Sequence, residues 1–140
     1  MANEARVVLT TVSAPGIQFE ATVPNGGTLT LDSGKDVHHA SPVETVLVAL
    51  GACGGMDVIE ILRKKRQVVL GYEVLVRGER RDEHPRIFTR IEVVHRLRGR
   101  DLNPAAVQEA IRLSDTKYCT VHAIVAASAT IESRFEIVPA

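Results

Sequence analysis

The chain of 140 residues holds two cysteines, Cys53 and Cys119, 66 positions apart. A thiolate attacks a peroxide oxygen, and a second thiol nearby condenses with the resulting sulfenate to a disulfide. Such a pairing requires Cα atoms within about 7 Å of each other. A free cysteine is equally at home as a small buried hydrophobe, and at this level both readings stand for both residues. Cys119 follows Tyr118 at an expected helix start, where free backbone amides lower a thiol pKa.

Two carboxylates stand near Cys53. Asp57 is four residues on, so on a helix the two share a face. An unpaired carboxylate there opposes a thiolate, so a reactive Cys53 needs a cation from elsewhere. Arg63, Lys64, Arg80, Arg81, Arg90 and Arg112 supply candidates without singling one out. The plainer expectation is that Asp57 pairs with a cation or caps a loop. Glu44 has a structural role of its own, described below. The five histidines make no zinc pattern with the cysteines: His38 and His39 are adjacent, so their side chains diverge, and His84, His95 and His122 are scattered. Gly51-Ala52-Cys53-Gly54-Gly55 lies inside a helical pattern rather than after a strand, so it is no dinucleotide fingerprint. No metal or cofactor is expected.

The elements that must position these groups are read from periodicity. Residues 5–12 and 17–23 read as strands, the latter alternating Ile17, Phe19, Ala21 and Val23. Pro24 to Gly27 is a turn, and Thr28–Leu31 completes an antiparallel meander. Residues 33–41 form a polar loop, a candidate to line a pocket. Ser41-Pro42-Val43-Glu44 is a helix start: Ser41 as N-cap, Pro42 at the first position and Glu44 closing a capping box. The helix runs from 42 to about 65 and ends on a cationic cluster, Arg63 to Arg66, suited to the negative end of its dipole. Its first half is apolar on nearly all faces, which predicts burial and a second subunit to supply the cover. Gly51, Gly54 and Gly55 each cost about 1 kcal/mol against Ala in a helix interior. They signal close packing, a kink, or a helix broken in two at 54–55.

Two long strands follow, 68–79 and 87–98, joined by Arg81 to Pro85 and solvated along one face at Arg77, Glu79, Arg90, Glu92 and His95. Asn103 and Pro104 start a helix to about Leu113. Ser114 to Lys117 cap a short helix, 117–127, that carries Cys119. Residues 129–138 form the last strand. The order is that of an α+β domain.

Length suits one domain, residues 1–140, large enough to fold without a staple. Lys plus Arg and Asp plus Glu balance at 17 each, which argues against nucleic acid bound through bulk positive charge and against a polybasic membrane anchor. Trp is absent, so a stacking platform is poorly supplied. The N-terminus shows no signal-peptide pattern. The most apolar run, Val43 to Cys53, is too short and too charged for a bilayer span. A reducing cytoplasm is the expected compartment.

The run Ser41 to Val58, with Tyr118-Cys119-Thr120-Val121, resembles the OsmC/Ohr family (osmotically inducible protein C and organic hydroperoxide reductases), closest to its YhfA-like subgroup. The likeness continues through Glu79-Arg80-Arg81, Pro85 to Thr89 and Gly99 to Leu102. It implies an intertwined homodimer in which two central cysteine-bearing helices are wrapped by antiparallel sheets. It further implies reduction of organic hydroperoxides, with Cys53 as the peroxidatic and Cys119 as the resolving cysteine, and a dithiol as reductant. Glu44 and Asp57 are possible auxiliaries. The peroxidase members place a Glu directly after the helix-starting Pro, where this chain has Val43, with Glu44 about 100° further round. They also draw an Arg from the early hairpin, and residues 10–19 here hold no Arg or Lys. A family member with little peroxidase activity, binding a small hydrophobic molecule or serving in stress, is the alternative these departures imply.

Overall fold

The computed structural model describes residues 1–12, 16–33 and 38–139. The expected polar loop 33–41 therefore lies in part outside the described residues. The chain divides into two compact units, Met1–Val46 and Leu47–Ala140.

The first unit is a three-stranded antiparallel sheet in the order β1 (Arg6–Leu9), β2 (Ile17–Thr22), β3 (Thr28–Ser33). The alternation of β2 and the turn at residues 24–27 give the meander expected. In that turn Gly26 takes φ 92°, a conformation open to glycine at no steric cost. The third strand runs two residues further than its pattern suggested. Asp32, at its end, accepts from the backbone N–H groups of His38 (3.1 Å) and His39 (3.4 Å), and its Oδ2 meets His39 Nδ1 at 3.0 Å. Burial pushes the Asp32 carboxyl up, but these bonds together outweigh it and hold the group below its usual value. His39 is thus tied to the end of β3.

Helix α1 (Pro42–Lys64) begins with the capping box its sequence announces. The Ser41 N–H donates to Glu44 Oε1 at 3.0 Å, and the Glu44 N–H donates to Ser41 Oγ at 3.1 Å. The helix ends where Arg66 enters the left-handed region at φ 58°, with the Gln67 N–H reaching back to the Leu62 carbonyl at 2.9 Å. This six-to-one bond satisfies one of the carbonyls a helix end leaves free.

In the second unit, β4 (Val68–Arg80) and β5 (Phe88–Arg100) form a long antiparallel pair. Helix α2 (Pro104–Leu113) starts as expected, with Asn103 Oδ1 accepting the Ala105 N–H at 2.9 Å. A π-helical turn, Ser114–Tyr118, leads to Cys119 and α3 (Thr120–Ala126), and β6 (Thr130–Val138) closes the sheet.

Two expectations fail in this unit. The sheet is mixed rather than antiparallel: β6 lies parallel to β5, with Val93 opposite Ser133 and His95 opposite Phe135. Parallel neighbours need a crossover connection, and α2, the π turn and α3 supply it. His95 is not solvated. It is 2% exposed, on the inner face with Ile91, Val93 and Leu97, while Arg90 and Glu92 point outward.

The core packs the second half of α1 against β5 and α2 through Val58, Leu62, Leu97, Val107, Ala110 and Ile111. The glycines leave α1 unbroken and bring it close to its neighbours. A Cβ on Gly51 would stand 3.0 Å from Val76 Cγ2, and one on Gly55 would stand 3.4 Å from Val74 Cγ2. By length and composition α1, at 23 residues, passes as a membrane span, against the expectation from its most apolar run alone. Yet Val58 and Leu62 are fully buried by this unit's own elements, as in the core helix of a folded domain.

Candidate functional site

Cys53 sits in the middle of α1 and is half-buried. Cys119 stands at a helix start, as expected, though the helix begins at Thr120 rather than at 117. It is the N-cap of α3, in extended conformation, and its Sγ accepts the His122 N–H at 3.3 Å. A helix N-terminus leaves backbone N–H groups unpaired, and here a sulfur fills the place an oxygen usually takes.

The fold brings both thiols together. Cys53 Sγ, Cys119 Sγ and a carboxylate oxygen of Asp57 all lie within 4.8 Å of one another. The cysteines are free thiols in this structure. The i, i+4 spacing puts Asp57 beside Cys53 as anticipated. The crossover through the π turn then carries Cys119 to the same helix face.

Among the described residues Asp57 is held neither by the cation nor by the loop backbone expected for it, but by a side-chain hydroxyl. Ser114 Oγ donates to Asp57 Oδ2 at 3.0 Å, and Ser114 is itself 1% exposed. The bond ties α1 to the first residue of the π turn. Gly54 lies beside this bond: a Cβ there would meet Ser114 Oγ at 3.8 Å, an ordinary contact. The Cys119 N–H closes the other end of the turn on the Ser114 carbonyl at 2.9 Å.

Among the described residues Asp57 has no ion pair. Lys64 meets Glu60, Arg90 meets Glu132, and Arg112 grips Glu109. Arg80 and Arg81 donate to backbone carbonyls of their own loop. Glu44 is held in the capping box, and its bonds with the Ser41 backbone and side chain lower its pKa. It is not among the three groups that converge.

The Cys119 thiol is pushed up to about 12, chiefly by burial and by a hydrogen bond shared with Cys53. The His122 N–H opposes this, while the charges of Cys53 and Asp57 add to it. Cys119 is therefore a thiol at neutral pH.

A second buried polar pair escaped notice in the sequence. Tyr72 Oη and His95 Nδ1 stand 2.6 Å apart across β4 and β5, and His95 Nε2 has no partner among the described residues. Burial drives the Tyr72 phenol well above its usual range and the His95 imidazole below its own; Asp115 adds to the first shift and opposes the second. The signal lay in alternation: His95 has the parity of Ile91, Val93 and Leu97, not that of Arg90 and Glu92.

Beside these groups α1 and β4 frame an apolar groove of about 720 Å³, walled by Leu47, Gly51, Gly55, Ile59, Tyr72 and Val74 among others. Along its helical edge Val48 is 61% and Met56 71% exposed. With Ala52 between them they form an apolar stripe at i, i+4, i+8.

Comparison with known proteins places this arrangement in a family. The family described as OsmC-like protein matches residues 33–134. Protein YhfA of Escherichia coli strain K12 is 39% identical over 125 residues, covering 89% of this chain and 93% of its own. A crystal structure of a hypothetical protein from Aquifex aeolicus VF5 is 30% identical, with TM-score 0.87, over 100% of this chain and 98% of that one. The organic hydroperoxide resistance protein OhrB of Bacillus subtilis shares the fold at 12% identity, with TM-score 0.63, over 97% and 98% of the two chains. By the extent of these matches the chain belongs to the OsmC-like family.

Proposed function

We propose that this chain is a thiol-dependent peroxidase that reduces organic hydroperoxides through Cys53 and Cys119. The observation that carries this reading is the approach of the two sulfurs to within 4.8 Å, one half-buried in a helix and the other buried at a helix cap. The burial of Cys119, against the half-buried Cys53, assigns the order. Cys119, held as the thiol, is a poor first nucleophile, because the thiolate is the attacking species. Cys53 attacks the hydroperoxide ROOH, takes one oxygen to become the sulfenic acid, and releases the alcohol ROH. The Cys119 thiol then condenses with the Cys53 sulfenic acid, forming the S–S bond and releasing water. An external dithiol returns both cysteines to thiols and leaves as its own disulfide.

The preference for an organic hydroperoxide over hydrogen peroxide rests on structural relatives named for organic hydroperoxide resistance. The Bacillus subtilis relative, named for organic hydroperoxide resistance, lends the fold a precedent. The exposed stripe Val48, Ala52 and Met56 supports the pairing of two chains along α1, since an apolar helix face of this kind is covered in a folded assembly. We place the protein in a reducing cytoplasm, where its free thiols would persist.

The test is stopped-flow reaction of reduced protein with cumene hydroperoxide and with hydrogen peroxide. The organic substrate reacts faster, and Cys53→Ser abolishes turnover. Turnover that survives Cys53→Ser excludes the reading.

A second reading is favoured by two observations. Glu44 is engaged in the capping box, and no cation pairs with Asp57 among the described residues. A protein that uses the groove to hold a small hydrophobic molecule, with little peroxidase activity, needs neither group free. Recovery of a stoichiometric apolar molecule from purified protein, with thiols inert to cumene hydroperoxide, would favour it over the first.

A further inference from the structure

The convergence at the cysteines contains one group that disulfide chemistry does not use. Two sulfurs suffice for a resolving pair, yet Asp57 brings a carboxylate oxygen within the same 4.8 Å. Its charge opposes a neighbouring thiolate. For a dication the same carboxylate is a ligand, and two sulfurs with one oxygen are a donor set that thiophilic metals take and magnesium or calcium do not.

We propose that Cys53, Asp57 and Cys119 form a binding site for a thiophilic divalent cation of the zinc class. The spacing is close to what such an ion requires. Zinc–sulfur bonds of about 2.3 Å in a tetrahedron set the sulfurs about 3.8 Å apart, so side-chain rotations that draw the three atoms in by about 1 Å complete the set. Three protein donors leave the fourth position for water.

The supporting bonds are those that metal ligands receive in built sites. Ser114 Oγ donates to Asp57 Oδ2 and orients the carboxylate, and the His122 N–H donates to Cys119 Sγ. Asp57 also lines a surface cleft of about 330 Å³ beside Glu60 and Tyr118, which gives an ion a route from solvent. Binding displaces the thiol protons to solvent and changes no oxidation state. It does not depend on peroxidase activity. Its consequence for turnover, that a bound ion occupies both sulfurs and excludes hydroperoxide, rests on the reading above.

The test titrates the full chain, reduced and freed of metal by chelation, with Co²⁺ and then with Zn²⁺. One Co²⁺ binds per chain, giving a thiolate-to-cobalt charge-transfer band that Zn²⁺ bleaches. The band disappears in Cys53→Ser and in Cys119→Ser. Asp57→Asn, which keeps an oxygen for Ser114 and both thiols, weakens binding at least tenfold. As a second readout, Zn²⁺ slows alkylation of Cys53 in the native chain and much less in Asp57→Asn. Absence of the band overturns the site, as does a band whose affinity Asp57→Asn leaves unchanged. Metal binding by a chain whose reduced, metal-free form fails to turn over hydroperoxide would sink the peroxidase reading and leave this one standing.

Discussion

The two halves of α1 are built from similar residues and meet different fates. From Val58 to Leu62 the helix is buried by its own chain, against Leu97, Val107, Ala110 and Ile111. From Val48 to Met56 an apolar stripe remains exposed. Composition made the whole helix a core element. The structure buries Leu50 of the first half with Val58 and Leu62 of the second, and leaves Val48, Ala52 and Met56 open. The cluster of Cys53 and Asp57 lies on another face of the same helix from that stripe.

The sharpest way to break this contrast is to change one side chain on each face. Leu62→Ala removes a fully buried side chain and costs about 2–5 kcal/mol of stability, read as a lowered midpoint in urea. Met56→Lys leaves that midpoint of a single chain nearly unchanged, within about 0.5 kcal/mol, but shifts the mass in sedimentation from two chains to one. A native protein that already sediments as one chain would remove the second subunit from the account.

The glycines sharpen the same contrast on a smaller scale. Gly51 has Val76 at 3.0 Å from its Cβ position, so Gly51→Val overpacks the helix on β4 and costs about 1–3 kcal/mol. Gly54 has only Ser114 Oγ, at 3.8 Å, so Gly54→Ala fits and stabilises by up to about 1 kcal/mol through helix propensity. Equal effects at the two positions would show that the helix does not seat on β4 as described.

The weakest effects are expected in the pH dependence of stability, and their signs differ between the two buried polar sites. His95 is depressed by burial, against an unfolded value of about 6.5. Its contribution is full above about pH 6.5 and lost as pH falls from there through the folded pKa. Cys119 is raised to about 12, against about 8.5 unfolded. Its contribution is full below about pH 8.5 and lost as pH rises toward 12. Thermal melts of reduced protein should therefore fall off on both sides. His95→Gln flattens the acid limb, and oxidation to the disulfide removes the share of the alkaline limb that belongs to Cys119.

Local chemistry was readable in the sequence, and long-range pairing was not. The capping box at Ser41 and Glu44, the N-cap at Asn103 and the alternation of β2 are each decided within a few residues, and each formed as expected. The parallel placement of β6 depends on where the crossover returns the chain, which no local pattern specifies. The π turn inserts its extra residue where Ser114 is held by Asp57, a contact spanning 57 positions. That insertion moved the start of α3 and made Cys119 a cap rather than a helical residue. His95 was misplaced although its parity gave the correct face; a buried imidazole becomes plausible only once Tyr72, 23 residues away, is known to meet it. Both cysteines were singled out at once by type, but their approach, with Asp57 beside them, is a product of tertiary structure.

The central claim is that Cys53 and Cys119 are partners in one redox step. The most direct test treats reduced protein with one equivalent of cumene hydroperoxide, blocks remaining thiols by alkylation under denaturing conditions, and maps the peptides by mass spectrometry. The account predicts a cross-linked pair joining the Cys53 and Cys119 peptides, two hydrogens lighter than the sum of the free thiols, formed within a single chain. Two fully alkylated cysteines after exposure to hydroperoxide would contradict it.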